Sequence, residues 1–440
     1  MTGMFSGMVM QRNDQNVAEI LITDVETITA ASFDGGQLAW EKTEEGYLLT
    51  GIPAGGPYTV KVNDMTFTDV YVGDVWVLAG QSNMEGVGWL TQEDRDFAGD
   101  PEIRNFAMDD RWCVARHRLH RPWLAVDKVH TEVIPCNPGN DPENRGVGPG
   151  LSFAQHMKAV TGVPQGLICC AHGGTTLEQW DPAKQGLGGD KSLFAAMVRR
   201  FRVNGSHVKG LFWYQGCSEA MSHKEETFTQ STVRFFEAVR AALGQIPIVQ
   251  VQIANVTAPH QNDWDAPWAS VREQQRRLAE LVPMLDTVSA TGMEKDDAVH
   301  LSSREQQLLG KTAAESMCAL LYKEQGFLPA PTYKCHTVRS EWLEGYSVID
   351  IEYDNVYGSL QAEGKPGSFA ISPKTDKILF DIVCKVTVEG NHVLVRVCRP
   401  VEQLKGWNLF YGFGENPYCN IMDSHGRRIP AMGPVEISAE

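Results

Sequence analysis

Between residues 71 and 325, short apolar runs of strand length alternate with longer stretches that have helical periodicity. The candidate strands are 74–79, 167–171, 210–214, 246–253 and 287–290, and the candidate helices are 192–201, 227–243, 269–281 and 303–322. This alternation is typical of a parallel sheet whose strands are joined by helices. The sequence therefore predicts an α/β fold for this part of the chain.

The two ends of the chain have a different pattern. Residues 19–22, 46–50 and 58–62 read as short strands separated by glycine turns, and after Pro329 and Pro331 the runs 346–353 and 393–397 alternate with a period of two. We therefore predict an all-β domain over 1–70, an α/β domain over 71–327 and a β-rich domain over 333–440.

Charge and hydropathy exclude several classes of partner. The chain has 39 Lys and Arg against 55 Asp and Glu, a net charge of −16, which repels nucleic acid unless one face is strongly basic. The basic stretch 111–121 is expected to be a solvated or ion-paired surface. No apolar run approaches the roughly 18 residues of a membrane span. The first ten residues lack the features of a secretory signal, so a cytoplasmic protein is expected.

The first candidate catalytic residue is Ser82. An apolar strand over 75–79 leads into Gly80, Gln81 and Ser82, and ligands bind at the carboxyl ends of strands in open α/β sheets. A single serine after a strand more often caps a helix. As a nucleophile, Ser82 needs a base.

The candidate base is His300, in the loop between the last predicted strand and the last predicted helix of the α/β region. Asp297 precedes it by three residues, so its carboxylate can accept a hydrogen bond from Nδ1 of the imidazole and leave Nε2 to take a proton. Asp296 and Glu294 are alternative partners for the imidazole.

Candidate donors for the oxyanion of an acyl-transfer intermediate follow two further strands. Gly173 and Gly174 let backbone N–H groups approach closely, and the side-chain amide of Gln215 can donate. Each also fits an ordinary turn or strand. A nucleophile elbow of the G-x-S-x-G type is excluded, because Met84 stands where its second glycine belongs.

Together these segments resemble the motif blocks of the SGNH (GDSL-like) hydrolases, in the branch of the sialate O-acetylesterases and related carbohydrate acetylesterases. The matching residues are 80–84, 173–175, 213–216 and 297–300, with weaker similarity at 5–12 and 414–420. The resemblance implies an SGNH three-layer parallel sheet domain flanked by all-β segments. It makes Ser82 the nucleophile, His300 the base and Asp297 its partner, with an oxyanion hole from Ser82, Gly173, Gly174 and Gln215.

The resemblance also implies an acetylated sugar or oligosaccharide as substrate, and neither a metal nor an organic cofactor. Asn83, His172, Trp180 and Trp264 are candidate substrate contacts, and Trp89 and Trp268 are further stacking candidates. The aromatic residues fit the protein core equally well. One departure is Cys217, where the family often has Glu; that role is either absent or moved to Glu219.

The sequence therefore predicts a carbohydrate O-acetylesterase. A non-catalytic glycan-binding protein and a sugar O-acyltransferase with the same triad are the alternatives. A sialic acid substrate calls for a positioned Arg or Lys, whereas hemicellulose fragments call for aromatic platforms. The sequence leaves this choice open, along with the oligomeric state.

Overall fold

A computed structural model describes residues 1–135, 143–257, 263–374 and 377–438. The chain forms two compact units, each assembled from three segments. The first consists of Met1–Tyr214, Ser231–Ile248 and Ser302–Ala314, and the second of Gln215–Gln230, Val249–Leu301 and Glu315–Glu440. The division into domains at 70 and 327–333 stays a prediction, because these units interleave along the chain.

The first unit is built around the long strand Met65–Gly80, which is buried from Val70 onward. Parallel neighbours flank it on both sides, Gln165–Cys169 and Gly210–Tyr214. The sheet continues from Gln165–Cys169 to the parallel strand Ile103–Phe106, which pairs with antiparallel Trp112–Val114. The nearly continuous apolar runs of these strands fit a sheet covered on both faces, so the α/β prediction is confirmed.

Short strands precede the long strand, as predicted, and most of them pair antiparallel. They are Val9–Gln11, Val17–Ile22, Ala31–Phe33, Gly36–Gln37, Ala39–Lys42, Tyr47–Pro53 and Gly55–Val62. Val17–Ile22 pairs with Tyr47–Pro53, and Gly55–Val62 pairs with Met65–Gly80. The exception is Val9–Gln11, which runs parallel to the long strand.

The longer helices are Pro149–Thr161, Leu193–Val203, Phe228–Leu243, Asp265–Leu281 and Ser303–Leu321. One-turn helices lie at Ser82–Glu85, Gln92–Asp96, Cys217–Met221 and Val401–Leu404. The four predicted helices are confirmed, whereas Pro149–Thr161 was not predicted. Proline at its first position and left-handed Gly162 at its end are typical helix boundaries. No helix in the described part of the chain is long and apolar enough to cross a membrane.

The second unit contains the strand Ile248–Gln252 from Val249 onward, its neighbour Leu285–Ser289 and the carboxy-terminal β region. In that region Thr332–Ser340, Ser347–Asp354, His392–Val397 and Val383–Glu389 form an antiparallel sheet. Two smaller sheets comprise Phe369–Ser372, Asn408–Tyr411 and Met432–Glu436, and Gln361–Ala362 with Ile421–Met422. Their buried side chains, from Ile349 to Ile437, form one hydrophobic cluster.

Candidate active site

Ser82 follows the carboxyl end of the long strand, in a turn that we call the Ser82 turn (residues 80–85). The strand ends at Gly80, whose φ of +129° and close approach to the backbone exclude a side chain: an ideal Cβ would lie 2.2 Å from the carbonyl oxygen of Tyr214. The next residue, Gln81, donates its N–H to that same oxygen at 2.9 Å. Ser82 then begins a one-turn helix and is partly exposed.

Asn83 anchors this turn to the first unit. It is buried; its Oδ1 accepts a hydrogen bond from Nε2 of Gln306 at 2.9 Å, and its Nδ2 lies 3.4 Å from the hydroxyl of Tyr214. These contacts hold the residue next to Ser82 in one orientation. The structure therefore gives Asn83 an anchoring role, in place of the predicted substrate contact.

The predicted glycine pair lies against the Ser82 turn. An ideal Cβ on Gly173 would be 3.4 Å from Cβ of Ser82. The N–H of Gly173 donates to Oε2 of Glu85 at 2.6 Å. In this conformation the N–H is therefore already hydrogen-bonded and does not bind an oxyanion. Gly174 has a φ of +70° and open space at its Cβ position. Of the two predicted donors, Gly174 is thus the better candidate.

Glu85 is a site residue that the sequence reasoning missed. Burial raises the pKa of its carboxyl group to about 7, although the hydrogen bond from Gly173 and the charge of Arg118 both favour ionisation. Its position three residues after Ser82, on the same helical turn, was a signal that could have identified it.

His172 was predicted to contact substrate, and the structure corrects this. Its ring is buried and stacks on the buried ring of His130, with centroids 5.2 Å apart and planes inclined by 11°. The two Nδ1 atoms are 3.0 Å apart, so one donates and the other accepts. Burial lowers the pKa of His172 to about 4 despite a hydrogen bond to the carbonyl of Pro135. His172 is therefore a neutral structural residue.

Trp180 was also predicted to contact substrate, and its burial excludes sugar stacking here. Its indole N–H donates to Oγ1 of Thr175 at 3.1 Å, and its ring packs edge-on against Trp213. Trp268 is equally buried and donates to the carbonyl of Ala254. Both are core residues.

Two of the predicted aromatic platforms keep exposed surface. Trp89 is 41% exposed and lies under the guanidinium group of Arg145, 4.7 Å from its ring centroid. Trp264 is half-buried at the start of the helix Asp265–Leu281. These two remain candidates for sugar stacking.

In the second unit, Asp297 and His300 meet as their spacing predicts. Oδ2 of Asp297 lies 2.8 Å from Nδ1 of His300, and Oδ1 accepts the backbone N–H groups of Val299 and His300 at 3.0 and 2.9 Å. Partial burial raises the pKa of Asp297, but the hydrogen bonds from His300 and Val299 outweigh it and hold that pKa well below its usual range. Asp297 is thus ionised and orients the imidazole.

Gln215 is held by Glu219, which lies one helical turn further along. Its Nε2 donates to Oε2 of Glu219 at 2.9 Å, and both residues are buried. The backbone carbonyl of Gln215 accepts from Nε2 of Gln275 at 2.8 Å. Between them, burial and the charge of Glu219 raise the pKa of the Cys217 thiol to about 12. Cys217 is therefore a protonated thiol at neutral pH, and Glu219 is the carboxylate that positions Gln215.

The predicted site residues fall into two groups. Ser82, Gly173 and Gly174 lie together in the first unit, and Asp297 and His300 lie together in the second, which also holds Gln215. Assembly of the complete triad stays a prediction. Among the residues that the structure describes, no group of three or more His, Cys, Asp or Glu side chains is arranged to hold a metal ion.

Residues 72–319, more than half of the chain, match a family model described as carbohydrate esterase, sialic acid-specific acetylesterase. A solved structure of a carbohydrate acetylesterase from Xanthomonas citri aligns over 98% of both chains, with a TM-score of 0.73 and 23% identity. A protein from Arabidopsis thaliana aligns over 56% of this chain and 98% of its own, with a TM-score of 0.43 and 27% identity. No curated protein sequence matches the chain. The similarity to the Xanthomonas citri enzyme shows a common fold.

Proposed function

Because the chain belongs to the sialic acid-specific acetylesterase family of carbohydrate esterases, we propose that it removes O-acetyl groups from sugars or oligosaccharides by a serine mechanism. Ser82 is the nucleophile, His300 the general base and Asp297 the residue that orients it. The family supports an acetylated sugar as substrate. The SGNH type of three-layer sheet is part of the same proposal.

The reaction has two steps. The hydroxyl of Ser82 attacks the acetyl carbonyl while Nε2 of His300 takes its proton, and the imidazolium then protonates the departing sugar oxygen. Water repeats the sequence on the acetyl-serine and releases acetate. Backbone N–H groups of Ser82 and Gly174, with the side-chain amide of Gln215, stabilise the negative oxygen of each tetrahedral intermediate.

The observation that carries this proposal is the 2.8 Å contact between Asp297 and His300. A carboxylate on Nδ1 selects the tautomer in which Nε2 accepts a proton, which is what a serine nucleophile requires. The exposure of Ser82 beside a glycine pair supports the same role. The bond from Gln215 to Glu219 supports a fixed oxyanion donor.

Replacement of the proposed nucleophile tests the mechanism. We expect Ser82→Ala to abolish acetate release from nitrophenyl acetate and from acetylated xylo-oligosaccharides, with an unchanged circular dichroism spectrum. The matched control is Ser340→Ala, which removes a hydroxyl at an exposed position of the strand Thr332–Ser340. Hydrolysis by the Ser82→Ala protein at the parent rate would refute a serine mechanism.

The same assay ranks the other two residues. We expect both variants to lose activity, with kcat of Asp297→Ala roughly 100-fold higher than kcat of His300→Ala. The reason is that an imidazole without its partner still accepts protons in a fraction of its orientations. A panel that includes 9-O-acetyl sialic acid and acetylated xylo-oligosaccharides would identify the sugar.

A further inference from the structure

The basic stretch 111–121 forms the wall of a cavity in the first unit. The cavity has a volume of about 360 Å³, within the range of pockets that hold small molecules. Four arginines line it, namely Arg111, Arg116, Arg118 and Arg121. We call it the arginine cavity. The proposed acetylesterase mechanism does not use it.

The charges around this cavity are unbalanced. Asp109 is the one carboxylate among its described lining residues, and it pairs with Arg111. The guanidinium group of Arg118 lies over the ring of Trp123, 5.4 Å from the centroid, and its charge also acts on the buried carboxyl group of Glu85. Arg116 and Arg121 are exposed and, within the described ranges, form no side-chain hydrogen bond or ion pair. The cavity therefore has an excess of positive charge in a protein whose net charge is −16.

The rest of the lining shapes the cavity for a small organic molecule. Trp112 and Leu119 are buried and supply an apolar base, whereas Leu124 is exposed. His120, between two of the arginines, is buried, and its Nδ1–H donates to the carbonyl of Glu85 at 3.1 Å. That bond fixes the arginine-bearing loop to the Ser82 turn. The walls are thus held in place while guanidinium groups stay exposed.

We propose that the arginine cavity binds a small organic anion with at least two negative charges, through its phosphate or carboxylate oxygens. Guanidinium groups offer paired donors that match the oxygens of either group. The apolar base accommodates the carbon skeleton. The described lining residues of the cavity do not include Ser82, Asp297 or His300.

Calorimetric titration of the full chain tests the proposal with inorganic pyrophosphate, citrate and glucose as probes. We expect one or both anions to bind, more weakly as salt is added, and neutral glucose not to bind. Binding of pyrophosphate alone identifies a phosphate site, and binding of citrate alone a carboxylate site. Failure of both anions to bind at millimolar concentration would overturn the proposal.

Substitution locates the binding. The double variant Arg116→Gln/Arg121→Gln should weaken anion binding about ten-fold or more, because hydrogen bonds to charged groups are lost. The matched control is Arg202→Gln, an exposed arginine on the helix Leu193–Val203. Equal affinity in the double variant and the parent, or equal weakening in the control, contradicts the assignment.

A measurement on the unmodified protein gives an independent result. Cys113 is exposed and lines the cavity, whereas Cys335 is exposed on the strand Thr332–Ser340. The anion that binds should slow alkylation of Cys113 by neutral iodoacetamide and leave Cys335 unaffected, as measured by peptide mass spectrometry. If Cys113 is alkylated at the same rate with and without the anion, the anion binds outside the arginine cavity.

Discussion

Glu85 combines a buried carboxyl group with a position next to the proposed nucleophile. It accepts the N–H of Gly173 at 2.6 Å and has a pKa of about 7, against an ordinary value of 4.5. Its carboxyl group is therefore partly ionised at neutral pH. The ionised form accepts more strongly from Gly173 and so holds the glycine pair against Ser82.

The raised pKa of Glu85 makes stability depend on pH. The folded protein binds this proton more tightly than the unfolded chain does, so the contribution of Glu85 is fully present below about pH 4.5 and is lost as pH rises through 7. Glu85→Gln stays neutral at every pH, so we expect the free energy of unfolding of this variant, relative to that of the parent, to be higher at pH 8 than at pH 5. Urea unfolding of both proteins at pH 5 and at pH 8 measures this difference. A constant difference would show that Glu85 titrates normally.

At the scale of elements, the junction between the long strand and the Ser82 turn depends on Gly80. Its left-handed φ and the nearby carbonyl of Tyr214 leave no room for a side chain. Since Gln81 donates to the same carbonyl, displacement of that backbone also displaces the start of the turn. The position of Ser82 is thus determined by the contact between two strands.

We expect Gly80→Ala to destabilise the protein by roughly 3 kcal/mol or more, the sum of backbone strain and a clash with backbone atoms. Gly162→Ala is the matched control, because Gly162 has a φ of +69° but open space at its Cβ position; it should cost only about 1 kcal/mol. Guanidinium chloride unfolding compares the two variants. Equal losses would mean that the close approach to Tyr214 is unimportant.

At the scale of the whole molecule, the carboxy-terminal β region completes the second unit. Arg272 is fully buried and donates to the carbonyl of Gly414 at 2.8 Å. Gln252, at the end of its strand, exchanges two hydrogen bonds with the backbone of Ala431, at 2.8 and 2.9 Å. We propose that 333–440 has its own core but that the preceding chain depends on it.

A chain that ends at residue 330 tests this dependence. It retains every proposed catalytic residue but removes the backbone groups of Gly414 and Ala431 that Arg272 and Gln252 contact. A buried polar group that loses its hydrogen-bond partner costs roughly 1–3 kcal/mol. We expect the shortened protein to unfold at a lower temperature and to lose esterase activity, as measured by calorimetry and acetate release. The control is a chain that ends at Ser438. An unchanged melting temperature at 330 would show that the α/β part is autonomous.

The sequence alone predicted features that depend on near neighbours along the chain. Apolar periodicity predicted the strand 210–214, a strand over 287–290 that the structure has at Leu285–Ser289, and a helix over 303–322 that ends at Leu321. The contact between Asp297 and His300 follows from a spacing of three residues within one loop. The strand Ile103–Phe106 was missed, because Arg104 and Asn105 interrupt its apolar pattern although both are buried. Arg104 is accommodated by the carbonyl of Gly7, about a hundred residues earlier.

Only the tertiary structure decided which side chains are accessible and which donors are occupied. Trp180 and His172 have the residue types of a sugar site but are buried by residues distant in sequence. The backbone N–H of Gly173 is hydrogen-bonded to Glu85. The arginines at 111–121 line a cavity. Local pattern determines an element because its hydrogen bonds and periodicity lie within a few residues, whereas burial and hydrogen-bond partners depend on segments that only folding brings together.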